Sequence, residues 1–321
     1  MTASKRGKTT ALLMPPESNP SQHPLPELGG SEKLWVGRFQ AMASDCDILM
    51  EGLDRSQAAH LLFIAASETW RIEYKFSRYR EDNIMSEINH SHGKTIRVDD
   101  ETAALLNFAD QCFQLSDGLF DISSGVLRRI WHFDGSDAIP AERQIQAIMR
   151  HVGWQKLKWE APMLTLSSGM ELDFGGIGKE YAVDKTVLAL RAESANYKPC
   201  AFVVNFGGDL ACSGPRLNGK AWVIGVESND HDSAAVATVS LSQGAVATSG
   251  DSRRYLMKDG VRYSHILNPL TGTSVFNAPH AISVAAPSCL QAGMYSTLAM
   301  LQGDQAEAFL QAQEVQYWIQ R

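Results

Sequence analysis

Apolar and polar positions fall into short alternating and periodic stretches along the chain. From residue 55 to 75, Ala58, Leu61, Leu62, Ala65 and Ala66 lie near one stripe of the helical period and predict a long helix. Residues 35–51 (WVGRFQAMASDCDILME) predict a strand, a turn and a second strand. Residues 76–90 (FSRYREDNIMSEINH) are polar and predict a loop. Asp99 or Asp100 then caps a helix with apolar positions Ala103, Leu106, Ala109 and Phe113, ended by Ser116, Asp117 and Gly118. A turn-rich link (117–131, DGLFDISSGVLRRIW), a short helix at 142–151 and a hairpin-like pair around Ala161 and Pro162 follow.

Residues 172–184 (LDFGGIGKEYAVD) predict the end of a strand closed by Asp173, a turn at Gly175 and Gly176, and a helix from Ile177 with Tyr181, Val183, Val187 and Leu188 on one face. The apolar run 201–206 ends in Gly207 and Gly208, and short strands are predicted at 222–227, 235–241, 245–248, 255–258 and 263–267, with Asp259-Gly260 as a hairpin turn. A strand at 281–286 precedes closing helices at 290–301 and 304–313. Runs of adjacent strands interrupted by helices predict an α+β layered fold rather than alternating βαβ units. No linker divides the chain after residue 34, so one compact unit is expected over 35–321, behind a Pro/Ser-rich flexible leader at 1–34.

Composition narrows the function classes. The 321 residues are 44% hydrophobic and 20% charged, ordinary for a globular protein. A net charge of −7 supplies no overall positive field for nucleic acid. No stretch reaches the ~20 apolar residues of a membrane span, and the apolar run at 11–14 is too short for a signal peptide. Cys46, Cys112, Cys200, Cys212 and Cys289 are scattered without a CxxC pair, which fits reduced thiols in a cytoplasm.

Chemistry concentrates in a few places. A helix that begins just after two glycines presents free N–H groups, a ready phosphate site; a plain strand–helix turn reads the same way. Residues 247–272 hold the densest polar cluster, with Thr248, Ser249, Asp251 and Arg254 at a strand end and His265, beside Ser264, on the following strand. His265 suits a general base or a phosphate donor, or else a surface position on a hairpin. Tyr79 can stack on a flat ring or cover the core edge. Asp121 and Ser123 can bond a ligand or make an Asx turn. Thr297 shares a helix face with Gly293.

Taken in order, these blocks resemble the ApbE family of FAD:protein FMN transferases. FQAMASDCDI resembles the family's Met-Gly-Thr turn, FSRYREDNIMSEIN its Ser-x-Tyr segment, and DGLFDISSGVLRRIW its Gly-x-Phe-Asp-x-Thr block. LDFGGIGKEYAVD, VVNFGGDL, ATSGDSRRY, YSHILNPLTG and ISVAAPSCLQAGMYSTLAMLQG follow in the family's order.

The resemblance implies a T-fold-like set of antiparallel sheets with packed helices. It implies FAD as substrate, Mg²⁺ at its pyrophosphate, and transfer of the FMN moiety to a Thr or Ser hydroxyl of an acceptor flavoprotein, with release of AMP. A non-transferring FAD-binding relative and a metal-dependent FAD pyrophosphatase are the alternatives. By the same resemblance His265 is the base and Tyr79 flanks the isoalloxazine. Met42, Ser77, Asp121, Asp173, Gly175, Gly176, Ile177, Lys179, Thr248, Ser249, Asp251, Arg254 and Ser264 line the FAD site, and Gly178 and Thr297 face the metal.

The chain departs from the family's pattern at several points. Gly293 stands where the family has a metal-binding Asp, and Glu180 where it has a glycine. Met42, Ala43 and Ser44 replace Met-Gly-Thr, and Asn268 replaces an Asp. Residues 317–321 are expected to end without the family's last hairpin.

Overall fold

The computed structural model describes residues 23–226, 237–250 and 255–321. In chain order the elements are β1 (Glu27–Ser31), β2 (Leu34–Ala41), β3 (Ser44–Glu51), α1 (Arg55–Phe76), α2 (Ile84–Asn89), β4 (Thr95–Arg97) and α3 (Asp100–Leu115). A 3-10 helix (Ile122–Arg129) leads to α4 (Glu142–Met149), β5 (Lys158–Glu160), β6 (Met163–Thr165) and α5 (Gly178–Ser194). Then come β7 (Ala201–Phe206), β8 (Asp209–Cys212), β9 (Trp222–Val226), β10 (Ala237–Leu241), β11 (Ala245–Gly250), β12 (Tyr255–Lys258), β13 (Val261–Ser264), β14 (Leu267–Asn268) and β15 (Thr273–Ser274). The chain closes with β16 (Ala281–Ala286), α6 (Cys289–Leu301), α7 (Ala306–Ala312) and β17 (Gln316–Gln320).

Among the described residues, eight strands form one sheet in the order β1-β2-β3-β7-β8-β11-β16-β17, every neighbouring pair antiparallel. The α+β expectation holds. The buried run of β7 shows how the sheet is covered. Phe202, Val204 and Phe206 join the main core beneath α1 and α5, while Ala201 and Val203 point the other way to Trp222, Val239 and Leu241 of β9 and β10. A strand buried on both faces reads as a continuous apolar run. Helix α1 lies on β2 and against α5, α5 lies on β7 and β8, and α6 lies on β11 and β16. The capping box of Asp54 and Gln57 starts α1.

Five expectations change. Residues 27–31, expected within the leader, pair with β2 as an edge strand, held by backbone hydrogen bonds that need no apolar pattern, and residues 1–22 of the expected leader lie outside the described residues. The polar stretch 76–90 contains α2, capped by Asn83, whose side chain accepts from the Ser86 N–H. Leu172 and Asp173 do not form a strand. The Asn89 side chain exchanges two hydrogen bonds with the Leu172 backbone (2.7 and 3.0 Å), and Asp173 N–H donates to Ile122 (2.9 Å). An amide side chain thus takes the place of a strand partner. His265 falls just past β13 rather than on a strand. Gln316–Gln320, where the sequence predicts no strand, pairs along β16 and finishes the sheet edge, with α6 and α7 between the two strands rather than a hairpin turn.

Candidate functional site

Two hairpin turns and two helices converge at one end of the sheet. The β2–β3 turn holds Met42 and Ala43 at φ 51° and 55°. Positive φ at both central residues is the turn that suits twisted strands, but each non-glycine residue there costs about 1 kcal/mol. The Met42 N–H is fixed by donating to Glu73 Oε1 at 2.7 Å. The β7–β8 turn uses Gly207 (φ 58°) and Gly208 (φ 97°), and a Cβ on Gly207 would lie 2.9 Å from Ser44 Oγ and 3.7 Å from Lys179 Nζ. The start of α5 therefore faces both turns.

Lys179 reaches from that start to Asp209 at 2.8 Å. Asp209 is buried and also accepts from the Thr248 N–H at 3.0 Å. Burial alone lowers the Lys179 ammonium, but Asp209 beside it outweighs this and the net shift is upward. Thr248 Oγ1 bonds Ser283 (2.7 Å), and Ser249 Oγ bonds Ser296 and Thr297 (2.9 Å each), which ties the end of β11 to α6. Asp184, farther along α5, accepts from the N–H groups of Cys289 and Leu290 at 2.8 and 2.9 Å. It caps α6 and sets the two helices against each other; burial pushes its carboxyl up, and those two hydrogen bonds pull back.

A second cluster surrounds Asp173. Its Oδ1 accepts from the Gly175 N–H (2.8 Å), and its Oδ2 meets Arg78 (3.1 Å) and Arg128 (3.8 Å). A Cβ on Gly125 would lie 2.5 Å from Asp173 Cβ, so only glycine allows this approach. Arg128 also donates to the Tyr79 hydroxyl at 3.3 Å, and the Tyr79 ring is 80% exposed. The Arg78 guanidinium lies over one face of the ring, 5.6 Å from its centroid, and the exposure leaves the other face for a flat ligand. Ser77 ends α1 and accepts from the Tyr79 N–H.

Gly175 and Gly176 are exposed with no positive φ, so they serve by lack of bulk alone: a Cβ on Gly176 would stand 3.3 Å from Phe120. Ile177 is the buried residue preceding α5, and no side chain caps that helix. Gly178 lies in its first turn, so its carbonyl runs along the helix toward the N–H four residues on. One carbonyl lone pair stays open.

Other predicted residues have partners of their own. Asp121 is buried, and its two oxygens accept from the Ser123 and Trp154 N–H groups (2.8 Å each). Burial pushes its carboxyl up, against those hydrogen bonds. It braces the 3-10 helix. Ser264 is buried, accepting from the Ile266 N–H at 3.1 Å, and His265 is half-buried with Phe133 edge-on at 6.2 Å. Asp251 and Arg254 lie outside the described residues. An open hollow of about 860 Å³ beside α2, lined by Asp82, His90 and Lys94 among others, contains none of the predicted residues.

The structure adds residues that sequence reasoning did not single out: Asp209, Asp184, Arg78, Arg128 and Gly125. Asp209 follows the glycine pair in VVNFGGDL, a signal that was present. The contacts of the others depend on tertiary placement.

Comparison with known proteins shows the chain's relatives. The model of the ApbE family matches residues 42–319. A FAD:protein FMN transferase of Vibrio cholerae is 29% identical over 238 residues, 72% of this chain and 70% of that protein. One of Salmonella typhimurium is 28% identical over 275 residues, 82% and 76%. Among solved structures, the ApbE protein of Thermotoga maritima superposes with a TM-score of 0.78 at 28% identity, covering 89% of this chain and 94% of that one. Since the family match runs from the first site turn to the last strand of the sheet, the chain belongs to the ApbE family.

Proposed function

We propose that this protein transfers the FMN moiety of FAD to a Thr or Ser hydroxyl of an acceptor protein and releases AMP. The observation that carries the reading is the convergence of the uncapped start of α5 with two hairpin turns and α6, in a chain whose relatives are named FAD:protein FMN transferase.

The chemistry needs few parts. The acceptor oxygen attacks the phosphorus on the FMN side, the phosphoanhydride bond breaks, and AMP departs with the bridging oxygen. The hydroxyl proton needs a base, and His265 takes it in this reading. Tyr79 offers its open ring face to the isoalloxazine. The start of α5, where the Gly178 N–H already donates to Phe174, meets the pyrophosphate charge with the positive end of its helix dipole, and Lys179, paired with Asp209, lines the site. Met42, Ser77, Asp173, Gly175, Gly176, Ile177, Thr248, Ser249 and Ser264 shape the site, and Asp121 holds one of its walls.

When bound, Mg²⁺ neutralises charge on the pyrophosphate. Among the described residues no group of three or more His, Cys, Asp or Glu side chains stands ready to hold a metal alone. The residues fit an ion of another kind, one that takes one or two carboxylates and completes its shell with substrate phosphates. Thr297 Oγ1 and the open lone pair of Gly178 would be its protein oxygens, and Glu180, two residues past Gly178, carries a buried carboxylate oxygen with no hydrogen-bond partner among the described residues.

Among the described residues no helix is long and apolar enough to cross a membrane. The five free cysteines favour a cytoplasmic setting in this reading.

The test is incubation with FAD, Mg²⁺ and candidate acceptors, followed by intact mass and AMP measurement. An FMN adduct matched by AMP supports transfer. Free FMN with AMP and no adduct replaces transfer by hydrolysis, and neither product from any acceptor refutes both.

A further inference from the structure

Glu180 and Gly293, two of the sites where the chain leaves its family's pattern, are in contact. A Cβ built on Gly293 would lie 2.5 Å from Glu180 Cγ and 2.8 Å from its Oε1. The side chain of Glu180 thus crosses from α5 and occupies the space that any larger residue at 293 would fill. It is 8% exposed, and its Oε2 has no hydrogen-bond partner among the described residues. A buried carboxylate left in that condition is costly unless a cation answers it.

The surroundings do not supply enough positive charge. Lys179 is committed to Asp209 at 2.8 Å, and Asp184 to the α6 N-terminus. One turn along α6 from Gly293 stands Thr297, whose hydroxyl belongs to a cluster with Ser249 and Ser296. A carboxylate oxygen and a hydroxyl oxygen on facing helices form a hard donor set, suited to Mg²⁺ or Mn²⁺ rather than to a soft metal.

We propose that Glu180 is the carboxylate ligand of a divalent cation bound together with FAD, delivered from α5 across the gap at Gly293, with Thr297 as the adjoining hydroxyl ligand. This rests on the flavin-transfer reading for the phosphates that complete the shell. The glycine at 293 is then part of the ligand's seat.

The test counts free Mn²⁺ by electron paramagnetic resonance during titration of the full chain with and without FAD, while flavin fluorescence in EDTA follows FAD alone. The wild type with FAD is expected to bind one Mn²⁺. Glu180→Gln keeps the shape, and its affinity for Mn²⁺ is expected to fall at least tenfold, with loss of the Mn²⁺-dependent rise in melting temperature. Glu180→Gly with Gly293→Asp moves the carboxylate to the other helix, and recovery to within a few-fold of wild type is expected. Gly293→Ala displaces the carboxylate without removing it and is expected to weaken Mn²⁺ binding as well. Unchanged Mn²⁺ affinity in Glu180→Gln or in Gly293→Ala overturns the proposal. A wild type that binds FAD but no Mn²⁺ overturns this inference alone. One that binds no FAD overturns the reading beneath it too.

Discussion

Replacing Lys179 by Met removes the cation from a buried pair. At 2.8 Å and an effective dielectric of about 20, the Lys179–Asp209 attraction is about 6 kcal/mol before desolvation is subtracted. Asp209 is 1% exposed, so it cannot turn to water when its partner goes. Breaking one side of a buried pair costs about 3–5 kcal/mol. The Lys179 side chain is 28% exposed, which places Lys179→Met near the lower end, about 3 kcal/mol. Asp209→Asn removes the charge, keeps an acceptor for the Thr248 N–H and leaves Lys179 free to reach solvent, at about 1–2 kcal/mol. The double variant buries no unpaired charge and is expected to resemble Asp209→Asn, a coupling of about 3 kcal/mol. Equilibrium guanidinium unfolding followed by tryptophan fluorescence measures all four corners of the cycle. If the two single effects add to within about 0.5 kcal/mol, the pair is not a buried unit and the reasoning is refuted.

Other predictions concern separate parts of the molecule. Burial alone would raise the Glu101 carboxyl, but hydrogen bonds from Arg71 and Lys75 outweigh it and hold it at about 2. Because the folded value lies below the unfolded one, its stabilisation is full above about pH 4.5 and is lost as pH falls toward 2. Glu101→Gln should therefore cost on the order of 2 kcal/mol at pH 7 and flatten the acid limb of a stability–pH curve; an unchanged limb contradicts this. Gly125→Ala forces a Cβ to within 2.5 Å of Asp173 Cβ and should cost about 1–3 kcal/mol in chemical denaturation, with weaker flavin binding. Tyr79→Ala, at an exposed position, should leave stability within about 0.5 kcal/mol and weaken FAD about tenfold by fluorescence titration; equal affinity excludes the ring from the flavin site.

Much of the fold was legible because its signals are local. The period of α1 and the apolar run of β7 depend on neighbours in sequence and were read as they stand. The misread segments are those whose order comes from elsewhere. Leu172 looks like a strand end because it is apolar and precedes glycines, yet its partner is the side chain of Asn89, 83 positions away. β1 has no apolar alternation because an edge strand needs only backbone pairing.

The candidate site shows the same division. Its glycine turn and its serine and threonine cluster stood out as blocks, but the contact between Glu180 and Gly293 joins two helices more than a hundred residues apart. Read singly, one looked like an added acid and the other like a lost ligand. Asp121 makes the turn contact that its polar block allowed, with backbone N–H groups donating to both its oxygens.

The most direct measurement is a crystal structure of the full chain with FAD and Mn²⁺, using the anomalous signal of manganese. The account predicts the pyrophosphate at the start of α5, between the turns at Met42 and Gly207, with the anomalous peak within coordination distance of Glu180 and Thr297. FAD seated elsewhere, or manganese placed away from both residues, would contradict it.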